Sequence, residues 1–234
     1  HGSDRDERPK VGEWSFEMTQ MCDVAIIGTG PHGLSLAAHL KARGVDFRIF
    51  GKPMGTWAEH MPKHMMLKSD GFASNLSAPA RESTLKAYCA RNNIPYADEG
   101  LPISLELFLQ YSTWFRKRYI PELEDTMVTS LEPSGDHYML TLETGERVAA
   151  RNVVLAVGIS WFEHMPDFLS GLPADLASHS YRHRDVSQFK GRDVAVIGAG
   201  ASAVKRADER SREGAHARII ARSPNDFRGF GPEH

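Results

Sequence analysis

Two short stretches constrain this chain more than anything else in it. The first runs Val24-Ala25-Ile26-Ile27 straight into Gly28, Gly30 and Gly33 and on into a helical pattern. The second runs Asp193-Val194-Ala195-Val196-Ile197 into Gly198, Gly200 and Ala203. A short apolar run ending in glycine reads as a buried parallel strand. Small residues at this spacing permit a tight turn, close approach of the backbone to a pyrophosphate, and close packing of the next helix on the strand. Pro31 and His32 after the first turn, and Ala201 and Ser202 after the second, then fall at helix N-termini, where N–H groups and the helix dipole favour phosphate. One glycine triplet also marks ordinary turns. Two of them, too far apart to serve one nucleotide, point to two dinucleotides, one flavin and one nicotinamide.

Composition removes other classes. The 234 residues carry a net charge of −2, which gives no reason to expect nucleic acid or an anionic membrane as partner. No apolar run approaches the ~18–20 residues of a membrane span. Cys22 and Cys89 are the only cysteines and form no C-x-x-C, so neither a disulfide scaffold nor a metal site is expected. Their use fits a reducing, cytoplasmic compartment. His1-Gly2-Ser3 reads as a tag remnant, and residues 1–20 as a polar tail.

Along the chain, Leu34, Leu36, Ala37, Ala38 and Leu40 give the first fingerprint an amphipathic helix ended by Gly44, and 45–50 reads as a second parallel strand. A dinucleotide site places Asp or Glu about 20 residues past the glycines to hold the ribose. Gly51 stands there, followed by Lys52, which leaves Lys52 and backbone groups for that task. A helix capped by Ser83 or Thr84 and a longer one over 103–119 follow, with the latter's aromatics spaced as core. From Met127 the period changes to two, and 127–131, 137–142 and 147–150 read as an antiparallel meander. A separate central strand is expected over 152–158.

At Pro53-Met54-Gly55-Thr56-Trp57 the chain resembles the flavin-containing monooxygenases, including their Baeyer–Villiger and N-hydroxylating branches, and the resemblance extends from Asp23 to about Ser223. It implies FAD and NADPH as cofactors, with O2 and a small-molecule substrate as partners. It implies that Gly55, Thr56 and Trp57 line the isoalloxazine pocket. Lys68, Ser69, Ser74 and Asn75 would lie over the flavin, with Ser69 and Asn75 as catalytic donors where negative charge develops. Ala156-Val157-Gly158 matches the alanine-x-glycine element at which the chain leaves the flavin domain. Each assignment has a plainer alternative: Trp57 as a core aromatic, Ser69 and Asn75 as turn and capping residues. The strict Baeyer–Villiger spacing is absent between Phe168, Gly171 and His179, which favours oxygenation of an amine or sulfide over a ketone.

The expected architecture is α/β: a Rossmann-type FAD-binding domain with an antiparallel meander over 21–160, a connection over 161–190, and the start of a Rossmann-type NADP-binding domain over 191–234. Arg222 and Ser223 follow the strand after the second fingerprint without an acid, which suits a 2′-phosphate and favours NADPH over NADH. The helix from Val204 shows almost no apolar face after Ala207, and a lone β-α-β unit leaves sheet surface uncovered. Both features lead us to expect these residues to be part of a longer protein. A two-nucleotide reductase or oxidase, and a non-catalytic nucleotide-binding module, remain alternatives to a monooxygenase.

Overall fold

The computed structural model describes residues 21–198 and 200–221. The chain opens with strand β1 (Cys22–Ile27), helix α1 (Pro31–Ala42) and strand β2 (Phe47–Phe50). Helices α2 (Leu85–Asn92) and α3 (Leu105–Tyr119) follow a loop-rich stretch, and strands β3 (Val128–Ser134), β4 (His137–Leu142) and β5 (Arg147–Leu155) complete one five-stranded sheet in the order β2-β1-β5-β4-β3. After a four-residue helix α4 (Asp167–Ser170), strand β6 (Asp193–Ile197), helix α5 (Ala201–Arg212) and strand β7 (His216–Ile220) form a parallel β-α-β unit with a sheet of its own.

The helices begin where the side chains dictate. Thr84 accepts a hydrogen bond from the Ala87 N–H and Ser104 from the Leu107 N–H, each satisfying a donor the helix cannot pair internally. Along β1, Val24 and Ile26 face the helices α1 and α3, whereas Ala25 and Ile27 face a second cluster with Phe50, Leu140, Leu142 and Val148. That alternation is the period of a strand covered on both faces.

One sequence expectation is corrected. The meander's last strand and the central parallel strand are a single nine-residue strand, β5. Its first half pairs antiparallel with β4 from Arg147 to Ala150, and its second half runs parallel with β1 as far as Leu155 against Ile27. Arg151 alone fell between the two expected strands, 147–150 and 152–158, and Asn152 opened the second. Both side chains instead turn to Asp23 at the exposed surface, the guanidinium to its carboxylate at 2.6 Å and the amide to its carbonyl at 3.0 Å.

Helix α5 packs differently from α1. Its apolar face is short, yet it buries Ala207 and also Arg210, whose guanidinium lies 4.7 Å from the ring centroid of Phe189. A cation over an aromatic face thus does part of what an aliphatic residue does in α1.

The edge of the sheet beside β2 is closed by the segment after α3. Arg48 grips Glu124 with two hydrogen bonds, at 2.7 and 2.5 Å, and reaches Glu146 at 2.8 Å. The Glu124 bonds are the main reason the guanidinium is held well above its ordinary pKa. Backbone bonds from Glu124 N–H to Ile49 and from Gly51 N–H to Glu124 extend the ladder by one bridge.

Tyr111 on α3 is fully buried; its hydroxyl accepts from the Leu76 N–H at 3.0 Å and donates to the Ser83 carbonyl at 2.6 Å. Burial raises its pKa. Tyr111→Phe leaves a buried N–H and C=O without this partner and should cost about 1–3 kcal/mol. Urea denaturation should show a lower midpoint with an unchanged slope.

Candidate nucleotide site

The turn from β1 into α1 is built from backbone in contact with backbone. Gly28 has φ +118°, and a Cβ on it would lie 2.2 Å from the Ala156 carbonyl oxygen; a Cβ on Gly33 would lie 1.9 Å from the Gly28 carbonyl oxygen. No side chain fits at either place. Gly30 differs, since a Cβ there would meet nothing within 4 Å. Its backbone is extended, no side chain caps α1, and no acid occupies the first helical turn. Among the described residues the space before Gly30, with Pro31 and His32 behind it, is therefore open and set at the positive end of a twelve-residue helix that has no acid in its first turn.

The second turn repeats the first. The Gly28 N–H donates to Phe50 at the end of the neighbouring parallel strand at 2.9 Å, and the Gly198 N–H donates to Ile220 at 2.9 Å. Gly30 accepts from the Leu34 N–H and Gly200 from the Val204 N–H. Gly200 likewise faces open space, and α5 carries no acid in its first turn. Among the described residues the second turn is looser, for the nearest atom to a Cβ on Gly198 is 3.9 Å away.

Three segments meet at the first turn. Buried Thr29 donates its hydroxyl to the Lys52 carbonyl at 2.7 Å and accepts the Met54 N–H on its own carbonyl at 3.1 Å. The chain turns at Met54, with φ +53°, into Gly55 and a single π-turn over Thr56–His60. The Thr56 hydroxyl is 2.7 Å from that of Ser160, which ties this turn to the chain just past Ala156 and Gly158. Trp57 is half-buried, its ring 4.9 Å from Phe108 at 57°, so it packs as core whatever else it touches.

Sequence-chosen residues fall in three groups. Gly28, Gly30, Pro31, His32, Gly33, Lys52, Gly55, Thr56, Ala156 and Gly158 come together around the first turn, and Gly198, Gly200, Ala201 and Ser202 form the second. Lys52 pairs its ammonium with Glu59 on the π-turn and also feels Asp125, which the Arg48 grip on Glu124 delivers beside Gly51. Ser69 and Asn75 have local duties. Ser69 bonds the Ser74 hydroxyl at 2.8 Å, and Asn75 donates to Phe72 O and accepts the Leu85 N–H at the entry to α2. Lys68 is exposed beside them. Arg222 and Ser223 lie outside the described residues.

A cavity of about 370 Å³ reaches from the π-turn to the start of α5, with Thr56, His60 and Met65 on one side and Ser160, Glu163 and Ser202 among the rest of its wall. His60 stacks on Tyr181, with ring centroids 3.8 Å apart. Glu163 bonds Arg182 at 2.5 Å and lies 3.8 Å from His179; the Arg182 bond above all holds its carboxyl below the usual range. None of these pairings carried a sequence signal, because the partners are far apart in the chain and of common types. The two cysteines do not meet. Cys22 and Cys89 are buried in separate clusters, and burial raises both thiols, so they offer no dithiol pair.

Residues 25–228 match the pyridine nucleotide-disulphide oxidoreductase family. The chain belongs to that family. Among curated relatives, the indole-3-pyruvate monooxygenase YUCCA1 of Oryza sativa is 27% identical over 85% of this chain and 47% of its own length. An FAD-dependent urate hydroxylase of Xanthomonas campestris is 26% identical over 87% of this chain and 44% of its own. A solved double mutant of the flavin monooxygenase from Stenotrophomonas maltophilia superposes with a TM-score of 0.69 at 26% identity, over 87% of this chain and 58% of that one. The resemblance to flavin monooxygenases is thereby borne out, as is the α/β plan with a Rossmann-type flavin domain. The chain spans about half the length of the curated relatives it matches.

Thr29 tests the coupling of the first turn to the 51–57 segment. Thr29→Val leaves the Lys52 carbonyl without its buried donor and should cost about 1–3 kcal/mol, whereas Thr29→Ser recovers most of it. Chemical denaturation of the three proteins side by side reads the difference.

Proposed function

We propose that the protein is an FAD-dependent, NADPH-consuming monooxygenase acting on an amine or sulfide. The observation that carries this reading is the duplication: two strand-glycine-helix turns of matching hydrogen-bond pattern, with a cavity that reaches from Thr56 to Ser202. The relatives named as a monooxygenase and as an FAD-dependent hydroxylase support the flavin monooxygenase class, while the amine or sulfide rests on the sequence reading. FAD, when bound, supplies electron acceptance from the nicotinamide and activation of O2.

The chain's own residues bind and position. Gly28, Gly30 and Gly33 present backbone at the pyrophosphate, with the N-terminus of α1 behind it. Asp125, which acts electrostatically on Lys52, would join Lys52 in reaching the ribose beside Gly51, where the sequence had offered Lys52 and backbone groups. Gly55, Thr56 and Trp57 would flank the ring system, with Ala156 and Gly158 closing the other side. Gly198, Gly200, Ala201 and Ser202 would hold the second pyrophosphate and leave the nicotinamide to enter the cavity between Thr56 and Ser202. Arg222 and Ser223 would take the 2′-phosphate. Domain limits of 21–160 and 191–234 go with these assignments, and the 161–190 connection packs on the first through the His60–Tyr181 contact.

Ser69 and Asn75 remain the proposed donors over the reacting face. Their local bonds hold them in place, and Asn75→Ala should lower turnover more than it lowers flavin affinity.

The test is anaerobic stopped-flow reduction of the FAD-loaded protein. NADPH should bleach the flavin at least about tenfold faster than NADH at equal subsaturating concentration, with Arg222→Gln removing the preference. Equal rates with the two nucleotides in the unaltered protein would contradict the NADPH assignment. In air, label from 18O2 should appear in the oxidised product of thioanisole or N,N-dimethylaniline; NADPH oxidation without any label in product would favour a reductase or oxidase.

A further inference from the structure

A larger cavity, of about 810 Å³, opens on the outer side of α3 and shares no lining residue with the one that reaches from Thr56 to Ser202. Its volume is within the range of small-molecule sites. The inner wall is apolar and aromatic: Tyr88 from α2 is buried, and Leu109 and Trp114 from α3 are half-buried. Trp114 is held by ring contacts to Tyr88 at 5.4 Å and Tyr111 at 6.0 Å, so the wall is preorganised.

The rim is cationic. Lys63, Lys117 and Arg184 are all exposed there, and the Lys63 N–H bonds the Arg184 carbonyl at 3.2 Å, which fixes these two side by side. Among the described residues, none of their three side chains has an ion-pair or hydrogen-bond partner. A further cation, Arg91, lies 5.9 Å from the centroid of Trp114. Against them the lining holds one carboxylate, Glu106, which accepts a bond from Gln110. Asp185, next to Arg184, acts electrostatically on Lys63 and His64, and Lys63 and Arg184 also border a neighbouring cavity lined by Asp185, Asp208 and Glu213, none of which lines this one. Neither the nucleotide turns nor the core explains unpaired cations converging over an aromatic wall.

We propose that this cavity is a second ligand site that takes a small anion with a flat apolar body, an aromatic carboxylate being the simplest case. The ring would lie on Trp114 and Leu109, and the carboxylate would meet Lys117 and Arg184, whose planar guanidinium suits a bidentate contact. The same stretch of chain separates the two cavities: Met61, Pro62 and Met65 line the inner one, Lys63 and His64 the outer. A ligand in the outer site therefore abuts the wall of the inner one.

The experiment is a calorimetric titration of the full chain with 2-naphthoate, beside its neutral isostere 2-naphthamide, in the absence of nucleotides. Saturable one-to-one binding tighter than about 1 mM is expected for the anion, with the amide at least about tenfold weaker. Lys117→Gln and Arg184→Gln, both at exposed positions and each checked by an unchanged melting temperature, should each weaken the anion about five- to tenfold. Trp114→Leu should weaken both probes, and Lys86→Gln, whose ammonium pairs with Asp98 away from the cavity, should change neither. Absence of saturable binding, equal affinity for amide and acid, or indifference to the Lys117 and Arg184 substitutions would overturn the proposal.

Discussion

The structure depends on one close approach. Where β1 turns into α1, the backbone of Gly28 and Gly33 lies against itself and against Ala156 with no room for a Cβ. That contact fixes where β5 must end, because the Ala156 N–H bonds the last residue of β1 at 2.8 Å. It also fixes what comes next on both sides. Thr29, wedged in the same turn, ties down Lys52 and Met54, and Thr56 then bonds Ser160. The mouth of the proposed flavin site is thus assembled from segments whose positions are all referred to one glycine turn.

The second turn has the same hydrogen bonds and a different tightness. Among the described residues Gly198 has no neighbour as close as Ala156 is to Gly28, and Ile197 and Ile220, which end β6 and β7, are each about half exposed. A parallel sheet is ordinarily buried on both faces. The difference is in what covers each turn rather than in how it is made, and it sets the second nucleotide turn nearer the loose end of the structure's range of packing.

Much of this was legible in the sequence because it is local. The glycine spacing, the apolar run before it, and the Thr84 and Ser104 caps each depend on a few neighbouring residues, and the structure has them in place. What the sequence hid was long-range. Arg48 gripping Glu124, which brings Asp125 beside Gly51, joins residues with nothing in common but the fold. β5 looked like two strands because the antiparallel meander and the apolar parallel run were read apart on either side of Arg151, whose partner is Asp23 on the adjacent strand. Asn75 and Ser69 sit between these cases. Small polar residues serve turns and active sites with the same atoms, so residue type alone does not separate the two uses, and here the turn bonds are on view.

The central claim is that the open space before Gly30 is where a dinucleotide pyrophosphate lies. Gly30→Val tests it directly, since the backbone there is extended and a Cβ meets no protein atom within 4 Å. The measurement is FAD binding followed by quenching of flavin fluorescence, with thermal melting of the apoprotein as the control for folding. The account predicts one FAD bound by the unaltered chain, and a Gly30→Val protein that melts at the same temperature yet binds FAD at least about a hundredfold more weakly. A Gly30→Val protein that binds FAD as well as the original would contradict it.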